Sequence, residues 1–186
     1  LLINEKNSGF SYTCNQGINR AQYELILLLN SDVKLTPDYF EHQWKYFDRS
    51  DTFGVMGRIM SFDESKIEDA ARLLYYGGCR IKANKFYYSE DLSEESIYTA
   101  YLSGANALVD AKKLKELQGF DEIYSPFSSE DFDLSLRAWQ LGWKCYYEHK
   151  SYCFHHVSGS TKTQIKSNFI KKIYYRNRYI LQGIHL

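Results

Sequence analysis

The feature that most constrains this chain is an uninterrupted apolar run that ends in polar residues. Leu25–Leu29 is aliphatic throughout, and Asn30-Ser31-Asp32 follows it directly. The run is much shorter than the roughly 20 residues that cross a membrane, so it predicts a strand buried on both faces of a parallel sheet. Such a strand places Asp32 at the edge where open α/β sheets bind ligands. The alternative role for Asp32 is to cap the turn.

Strand and helix patterns alternate around this run. Phe10–Gln22 and Tyr39–Arg49 have the apolar spacing of helices, and Leu1–Ile3 and Gly54–Met60 are short apolar strands. Alternating strands and helices are typical of an α/β protein with a mostly parallel sheet. The sequence therefore predicts one domain over residues 1–186, with helices flanking that sheet.

The middle of the chain is less regular. Ile67–Tyr76 is predicted as a helix or as a loop with a helical turn, and Arg80–Tyr88 as a polar, aromatic excursion that lines a groove. Tyr98–Leu102 is predicted as a strand, and Ser103-Gly104-Ala105-Asn106 as a tight bend.

Three further helices and two strands complete the prediction. The helices are Ala111–Gln118, which stops at Gly119, Ser129–Gln140, and Gln164–Gln182. The strands are Trp143–Tyr147 and Tyr152–Val157.

Composition excludes several classes of function. Lys+Arg and Asp+Glu both number 23, which gives no electrostatic case for binding nucleic acid. The four cysteines show no Cys-x-x-Cys spacing, so neither a zinc site nor a disulfide framework is indicated. Reduced thiols and the lack of a signal-peptide pattern predict a cytoplasmic location.

Glu130-Asp131 stands in the first turn of a predicted helix, directly after a Ser/Pro loop. Ser128 and Asp131 fit a capping box, which is the structural alternative. A general base also belongs on a rigid element at the lip of a cleft, so both acids are candidate catalytic residues. Asp133 and Arg137, four residues apart, are expected to form a surface ion pair.

His155-His156 lies near the end of a predicted strand, where alternation lets at most one imidazole reach a given site. The helix that follows alternates basic with aromatic and aliphatic residues over residues 164–180. That pattern suits the inner face of an anionic membrane. A solvated face on a helix that packs against the domain is the alternative.

Taken in order, these pieces resemble family 2 glycosyltransferases of the rhamnosyltransferase-like type. The resemblance covers nearly the whole chain. The matching segments are Asn7-Ser8-Gly9-Phe10, Asn15-x-Gly17, Leu28-Leu29-Asn30-Ser31-Asp32-Val33, Ser103-Gly104-Ala105, Gly119-Phe120-Asp121-Glu122, Glu130-Asp131-x-Asp133-Leu134-Ser135-x-Arg137, Gly142-Trp143-Lys144, His156-x-x-Gly159-Ser160 and Tyr175-Arg176-Asn177.

The resemblance implies a Rossmann-like GT-A fold and an inverting hexosyltransferase that uses Mn²⁺ or Mg²⁺. It makes Asp131 the expected base, with Glu130 beside it, and Asp32 and His156 the expected metal ligands. It also implies that a group of residues binds the nucleotide-sugar donor: Asn7, Gly9, Asn15, Asn30, Ser103 and Gly104. Residues 1–60 then form the donor half, 61–163 the acceptor half, and 164–186 a basic amphipathic helix.

The chain departs from the family pattern in two ways. Asn30 stands where a strict Asp-x-Asp motif has its first acid, and the family's first nucleotide-binding βαβ unit would lie before Leu1. We expect transfer of a sugar to a hydroxyl of a glycan or lipid-linked acceptor in cell-surface polysaccharide synthesis. The alternative is a non-catalytic carbohydrate-binding or scaffold domain with this fold. Glycoside hydrolysis is disfavoured because Glu130 and Asp131 diverge on one helix.

Overall fold

The structure, a computed structural model, describes residues 2–78, 80–85, 97–156 and 167–186. Its helices are α1 (Phe10–Arg20), α2 (Ala111–Glu116), α3 (Glu130–Gln140) and α4 (Ser167–His185). Its strands are β1 (Leu25–Leu29), β2 (Val33–Leu35), β3 (Thr52–Ser61), β4 (Ile67–Asp69), β5 (Arg72–Tyr76), β6 (Ile81–Lys85), β7 (Ile97–Tyr98), β8 (Asn106–Asp110) and β9 (Lys144–His155).

The main sheet has the strand order β1-β8-β3-β9-β2, with β4 added to β3 and β7 added to β9. The prediction of an α/β sheet flanked by helices is confirmed, but its mostly parallel character is wrong. Among the described pairings, β3 and β9 run parallel and the others run antiparallel. Apolar runs indicate burial and leave strand direction undetermined, which is why the sequence misled on this point.

The apolar run that forms β1 lies at an edge of the described sheet, where β8 is its partner. Each of its faces contacts an apolar cluster. Ile26 and Leu28 pack into the larger apolar cluster, and Leu25 and Leu27 pack into a smaller one. Burial on both faces is nevertheless incomplete, because only Leu28 is buried and Leu29 is 44% exposed.

The predicted helix at Tyr39–Arg49 is wrong. The segment is a series of turns around a short 3₁₀ helix at Trp44–Tyr46. The buried Tyr39 hydroxyl donates to the Asn106 carbonyl oxygen (2.5 Å) and accepts from the Gly57 amide (3.1 Å). These contacts to two strands hold the chain in turns in spite of its helical spacing.

The Ile67–Tyr76 prediction is also wrong, because β4 and β5 occupy that segment. β5 pairs with β6 as a two-stranded hairpin, and residues 86–88 of the predicted groove excursion lie outside the described residues. At the start of the chain, Leu2 and Ile3 belong to no strand, and Ile3 is 82% exposed. The strand predicted at Leu1–Ile3 is therefore wrong for Leu2 and Ile3, and Leu1 lies outside the described residues.

Several other elements confirm the sequence analysis. The other four predicted helices overlap α1 to α4, although residues 164–166 of the last one lie outside the described residues. Gly119 has the left-handed backbone (φ 69°) expected after α2. β7 is shorter than the strand predicted at Tyr98–Leu102. The two strands predicted at Trp143–Tyr147 and Tyr152–Val157 form the single strand β9, and Val157 lies outside the described residues. None of the helices in the described ranges is both long and apolar enough to span a bilayer.

Candidate active site

Strand directions bring several predicted site segments to one edge of the main sheet. β1 ends at this edge and its antiparallel partner β8 begins there, so Asn30-Ser31-Asp32 lies beside the Ser103–Ala105 bend. The Asn30 amide donates to the Ala105 carbonyl oxygen (3.2 Å). β9 ends at the same edge with His155, which is paired with Val33 of β2.

The side chain that lies beside Asp32 is His155. Its Nε2 is 3.5 Å from Asp32 Oδ2, and its Nδ1 is 2.6 Å from Glu68 Oε2 on β4. The imidazole is thus held between two carboxylates on opposite sides of the ring. Sequence analysis missed Glu68, because no motif or spacing connects it to the histidine pair.

His156, the predicted metal ligand, does not bring its ring to Asp32. The ring is exposed and packs edge-on against Phe62, with 5.0 Å between centroids. Its backbone amide donates to the Asp32 carbonyl oxygen (2.8 Å). Of the two imidazoles, only that of His155, the last residue of β9, lies beside Asp32, and the His156 ring contacts Phe62 instead.

Asp32 and His155 fit one divalent cation. Two donor atoms at about 2.1 Å from an octahedral ion lie about 3 Å apart, close to the observed 3.5 Å. Within the described ranges, no group of three or more His, Cys, Asp or Glu side chains could hold a metal. A pair of protein ligands suits an ion that shares its remaining positions with water and substrate phosphates.

Asp131 lies in the first turn of α3 and faces a cavity. Its Oδ1 accepts from the Phe132 amide (2.8 Å), and the Gly104 amide also bonds the carboxylate. Burial raises the pKa of Asp131 to about 6, and the charge of Asp69 adds to the rise. Hydrogen bonds from the backbone amides of Phe132, Gly104 and Asp131 itself oppose it. A carboxylate with this pKa is ionised near neutral pH and can accept a proton.

The capping-box alternative for Asp131 does not match the structure. The N-cap of α3 is Ser129, whose φ is 77° and whose side chain makes no capping bond. Ser128 also has a left-handed backbone, with φ of 80°. Two successive positive φ angles turn the chain sharply into α3, and the Asp131 carboxylate accepts from backbone amides that include those of Phe132 and Gly104.

Glu130 has a different environment. It is buried beside Cys14 rather than at the cavity wall, and its Oε2 has no hydrogen-bond partner among the described residues. Burial raises the pKa of Glu130 to about 7, with a further contribution from the charge of Asp131. Of the two acids, Asp131 lines the cavity and Glu130 does not.

The cavity beside Asp131, hereafter the Asp131 cavity, has a volume of about 560 Å³. Its walls come from the β5–β6 hairpin, Tyr101, the start of α3 and one face of α4. The lining residues are Arg72, Tyr75, Ile81, Lys82, Ala83, Tyr101, Ser129, Asp131, Phe132, Tyr174, Arg178, Leu181 and Gln182. This volume lies within the range of small-ligand pockets.

Asp133 and Arg137 form a buried network rather than the surface pair expected. Arg137 Nε is 2.8 Å from Asp133 Oδ2, and only 1% of the Asp133 surface is exposed. Asp133 Oδ1 also contacts the Tyr124 hydroxyl (3.1 Å) and His185 Nε2 (2.9 Å). The acid therefore joins α3 to α4 and to the loop between α2 and α3.

The Tyr175-Arg176-Asn177 segment also secures the loop that precedes Asp131. The buried Asn177 Nδ2 donates to the carbonyl oxygens of Tyr124, Phe127 and Ser128 at 2.6–2.8 Å. Arg176 donates to the carbonyl oxygens of Ile123 and Ser125. These bonds give a physical reason for this motif, which the sequence analysis could match but could not explain.

Most predicted donor-binding residues make structural contacts near this site. Asn15 Nδ2 donates to the Phe120 carbonyl oxygen (2.8 Å), and its Oδ1 accepts from the Phe120 amide (2.9 Å). Asn7 Oδ1 accepts from the amide of Gly9 (3.1 Å), whose φ is 91°. A Cβ on Gly9 would approach Pro126 to 3.2 Å, so this glycine permits close packing against the loop before α3.

The Ser103–Ala105 bend connects the two candidate centres. Ser103 is buried, and its Oγ accepts from the Ala105 amide (3.4 Å). Gly104 bonds Asp131, whereas the next residue, Ala105, accepts from Asn30. Donor binding by these residues and by Asn7, Gly9 and Asn15 stays a prediction.

Comparisons with known proteins point to one class of enzyme. The family model described as glycosyl transferase family 2 matches residues 1–118. The crystal structure of GalNAc-T7 with UDP, GalNAc and Mn²⁺ is similar in fold, with a TM-score of 0.65 and 13% identity over 82% of this chain. The chain spans 31% of the length of that protein. No curated protein sequence matches the chain significantly.

Proposed function

Because the chain belongs to the family 2 glycosyltransferases and has the GT-A fold that its sequence predicts, we propose that it transfers a hexosyl group from a nucleotide-diphosphate-sugar to a hydroxyl of a glycan or lipid-linked acceptor. The observation that carries this proposal is the arrangement at one sheet edge. Asn30, two residues before Asp32, donates to Ala105 of the Ser103–Ala105 bend, and the neighbouring Gly104 bonds Asp131. His155 lies beside Asp32.

In this mechanism Asp131 is the general base. As the acceptor oxygen attacks the anomeric carbon, its proton moves to the Asp131 carboxylate. The bond from that carbon to the diphosphate breaks, and the diphosphate leaves with the electron pair. Direct displacement from the opposite face inverts the anomeric centre.

Asp32 and His155 would hold the divalent cation, and the similar GalNAc-T7 was crystallised with Mn²⁺. When bound, such an ion offsets the negative charge of the departing diphosphate as a Lewis acid. We assign this role to His155 rather than to the predicted His156, because the His155 ring lies beside Asp32 and the His156 ring lies beside Phe62. Asp32 remains the other proposed ligand.

Membrane association is part of the proposal. One side of α4 exposes Phe169, Tyr175 and Tyr179, and Lys171 and Lys172 are exposed on the same helix. Aromatic side chains beside lysines suit an anionic membrane surface. This placement would bring the enzyme to lipid-linked acceptors of polysaccharide synthesis at the cytoplasmic face.

The test measures nucleotide release from UDP-, GDP- and dTDP-sugars in the presence of Mn²⁺, with the wild-type protein and the Asp32→Ala and Asp131→Asn variants. We expect one donor class to be consumed, Asp32→Ala to abolish donor binding or turnover, and Asp131→Asn to keep donor binding. Glu116→Gln, at an exposed acid on α2, is the matched control. Consumption of no donor, with glycans still bound, would support a carbohydrate-binding domain instead.

A further inference from the structure

The Asp131 cavity is completed by a contact between two distant parts of the chain. Gln182 of α4 accepts from the Ile81 amide through Oε1 (2.7 Å) and donates to the Ile81 carbonyl oxygen through Nε2 (3.1 Å). This pair of hydrogen bonds fixes the β5–β6 hairpin against α4. As a result, Lys82 on the hairpin and Arg178 on α4 line the same cavity.

The charges in the cavity wall are not balanced. Arg72 pairs with Asp69 at 2.5 Å, and Asp131 is the acidic residue of the lining. Lys82 and Arg178 have no acidic partner within the described ranges. Lys82 lies over the Tyr75 ring (5.8 Å to the centroid) and Arg178 over the Tyr174 ring (5.5 Å).

We propose that the acceptor carries an anionic group, a carboxylate or a phosphate, which Lys82 and Arg178 bind while Asp131 takes the proton of the accepting hydroxyl. This inference rests on the proposed transferase function and adds the chemical class of the acceptor. Placing a neutral sugar between two cations that have no acidic partner in the described part of the chain would strip water from both without replacing it. An anion compensates both charges through charge-assisted hydrogen bonds.

The donor diphosphate does not account for these two cations. Its proposed place is beside Asp32 and His155, and neither of those residues lines the Asp131 cavity. The tyrosine rings of the wall, at Tyr75, Tyr101 and Tyr174, offer flat apolar faces with polar tips, a surface that suits a sugar ring. The cavity thus combines a sugar-binding wall with a cationic one.

The test compares three probes that differ only at C6: methyl β-D-glucoside, methyl β-D-glucuronide and methyl β-D-glucoside 6-phosphate. Binding is followed by NMR of labelled tyrosine rings. We expect at least one anionic probe to bind about tenfold more tightly than the neutral one, with an affinity that falls as salt rises. The two charged probes distinguish a carboxylate-bearing acceptor from a phosphate-bearing one.

The double variant Lys82→Gln/Arg178→Gln should bind all three probes within about twofold, since both cations are removed. Lys112→Gln, at an exposed lysine on α2 outside the cavity, should keep the wild-type preference. Equal binding of neutral and anionic probes, failure of both anionic probes to bind, or a preference that persists in the double variant would overturn the proposal.

Donor consumption with Mn²⁺ is measured separately on the same proteins. Turnover of a nucleotide-sugar without a preference for anionic probes would refute the acceptor class and leave the transferase function intact. An anionic preference without donor turnover would show that the Asp131 cavity binds an anionic sugar and would count against the transferase function, and with it against an acceptor role for that sugar.

Discussion

Glu68 Oε2 lies 2.6 Å from Nδ1 of His155, on the side of the imidazole ring opposite Asp32. With a divalent cation bound at Nε2, Glu68 would hold the proton of the imidazole on Nδ1 and fix the orientation of the ring. The contact joins β4 to the end of β9, two segments that are 87 residues apart in sequence.

Replacing Glu68 should weaken metal binding although Glu68 itself is not a proposed ligand. We expect Glu68→Ala to lower the affinity for Mn²⁺ about 10- to 100-fold in the presence of UDP, because the tautomer and orientation of His155 are no longer fixed. Glu68→Gln keeps a hydrogen-bond acceptor, so its affinity for Mn²⁺ should lie between those of the wild type and Glu68→Ala. Electron paramagnetic resonance of free Mn²⁺ measures this affinity. Glu64→Gln, at an exposed acid, serves as control, and unchanged affinity in Glu68→Ala would refute the role.

Asp131→Asn should reduce turnover by about 10²–10⁴ and leave donor affinity in place, since an amide cannot accept the acceptor's proton. The wild-type rate should fall as pH drops through about 6, where Asp131 becomes protonated. Single-turnover rates of sugar transfer, measured from pH 5 to pH 8 for the wild type and the variant, check the loss of turnover and the pH dependence. Glu130→Gln should remain active, and an inactive Glu130→Gln beside an active Asp131→Asn would move the base by one residue.

Glu130 makes stability depend on pH. Its pKa is raised from 4.5 to about 7, so the folded state holds a proton that the unfolded state has lost between these values. Stability should therefore fall as pH rises from about 4.5 to 7, by up to about 3 kcal/mol from this residue. Urea unfolding at several pH values measures the slope.

Glu130→Gln should remove most of that slope and leave the smaller contribution of Asp131, whose raised pKa acts in the same direction. The substitution should also stabilise the protein at pH 8, because a buried carboxylate is no longer formed there. A slope identical to that of the wild type would show that Glu130 is ionised in the folded state at neutral pH.

Removing Asp133 should destabilise the fold rather than alter chemistry. Asp133→Ala leaves the Arg137 guanidinium and the Tyr124 hydroxyl without their shared acceptor, which costs about 3–5 kcal/mol for a buried ion pair broken on one side. Chemical denaturation provides the measurement. Glu116→Gln, at an exposed acid, should change stability by less than about 0.5 kcal/mol. A similar loss of stability in Asp133→Ala and Glu116→Gln would show that the contacts of Asp133 do not stabilise the fold.

The sequence predicted elements whose apolar pattern agrees with their packing. α1, α3 and β3 appear near their predicted positions, and Asp32 and Asp131 occupy a sheet edge and a helix start as expected. The prediction failed where single side chains override the local pattern. Tyr39 bonds the backbone of two strands and keeps its segment from becoming a helix.

The candidate site was less predictable than the fold because it depends on long-range contacts. The choice of His155 over His156 requires knowing which face of β9 meets Glu68. The cations of the Asp131 cavity come from a hairpin and a helix that Gln182 joins across 101 residues of sequence. No periodicity or motif in one sequence encodes such pairings.

β4 is only three residues long, and its last two side chains serve different centres. Glu68 contacts His155, whereas Asp69 contacts Arg72 and the Tyr101 hydroxyl beside Asp131. Successive strand residues point to opposite faces, so this short segment places one carboxylate beside each of the two proposed centres. A slip of β4 by one residue would carry one carboxylate into the place of the other and leave the second place to Ile67 or Ala70, so neither centre would keep its own acid. In the proposed reaction, the donor and acceptor sites therefore depend on the register of the same three residues.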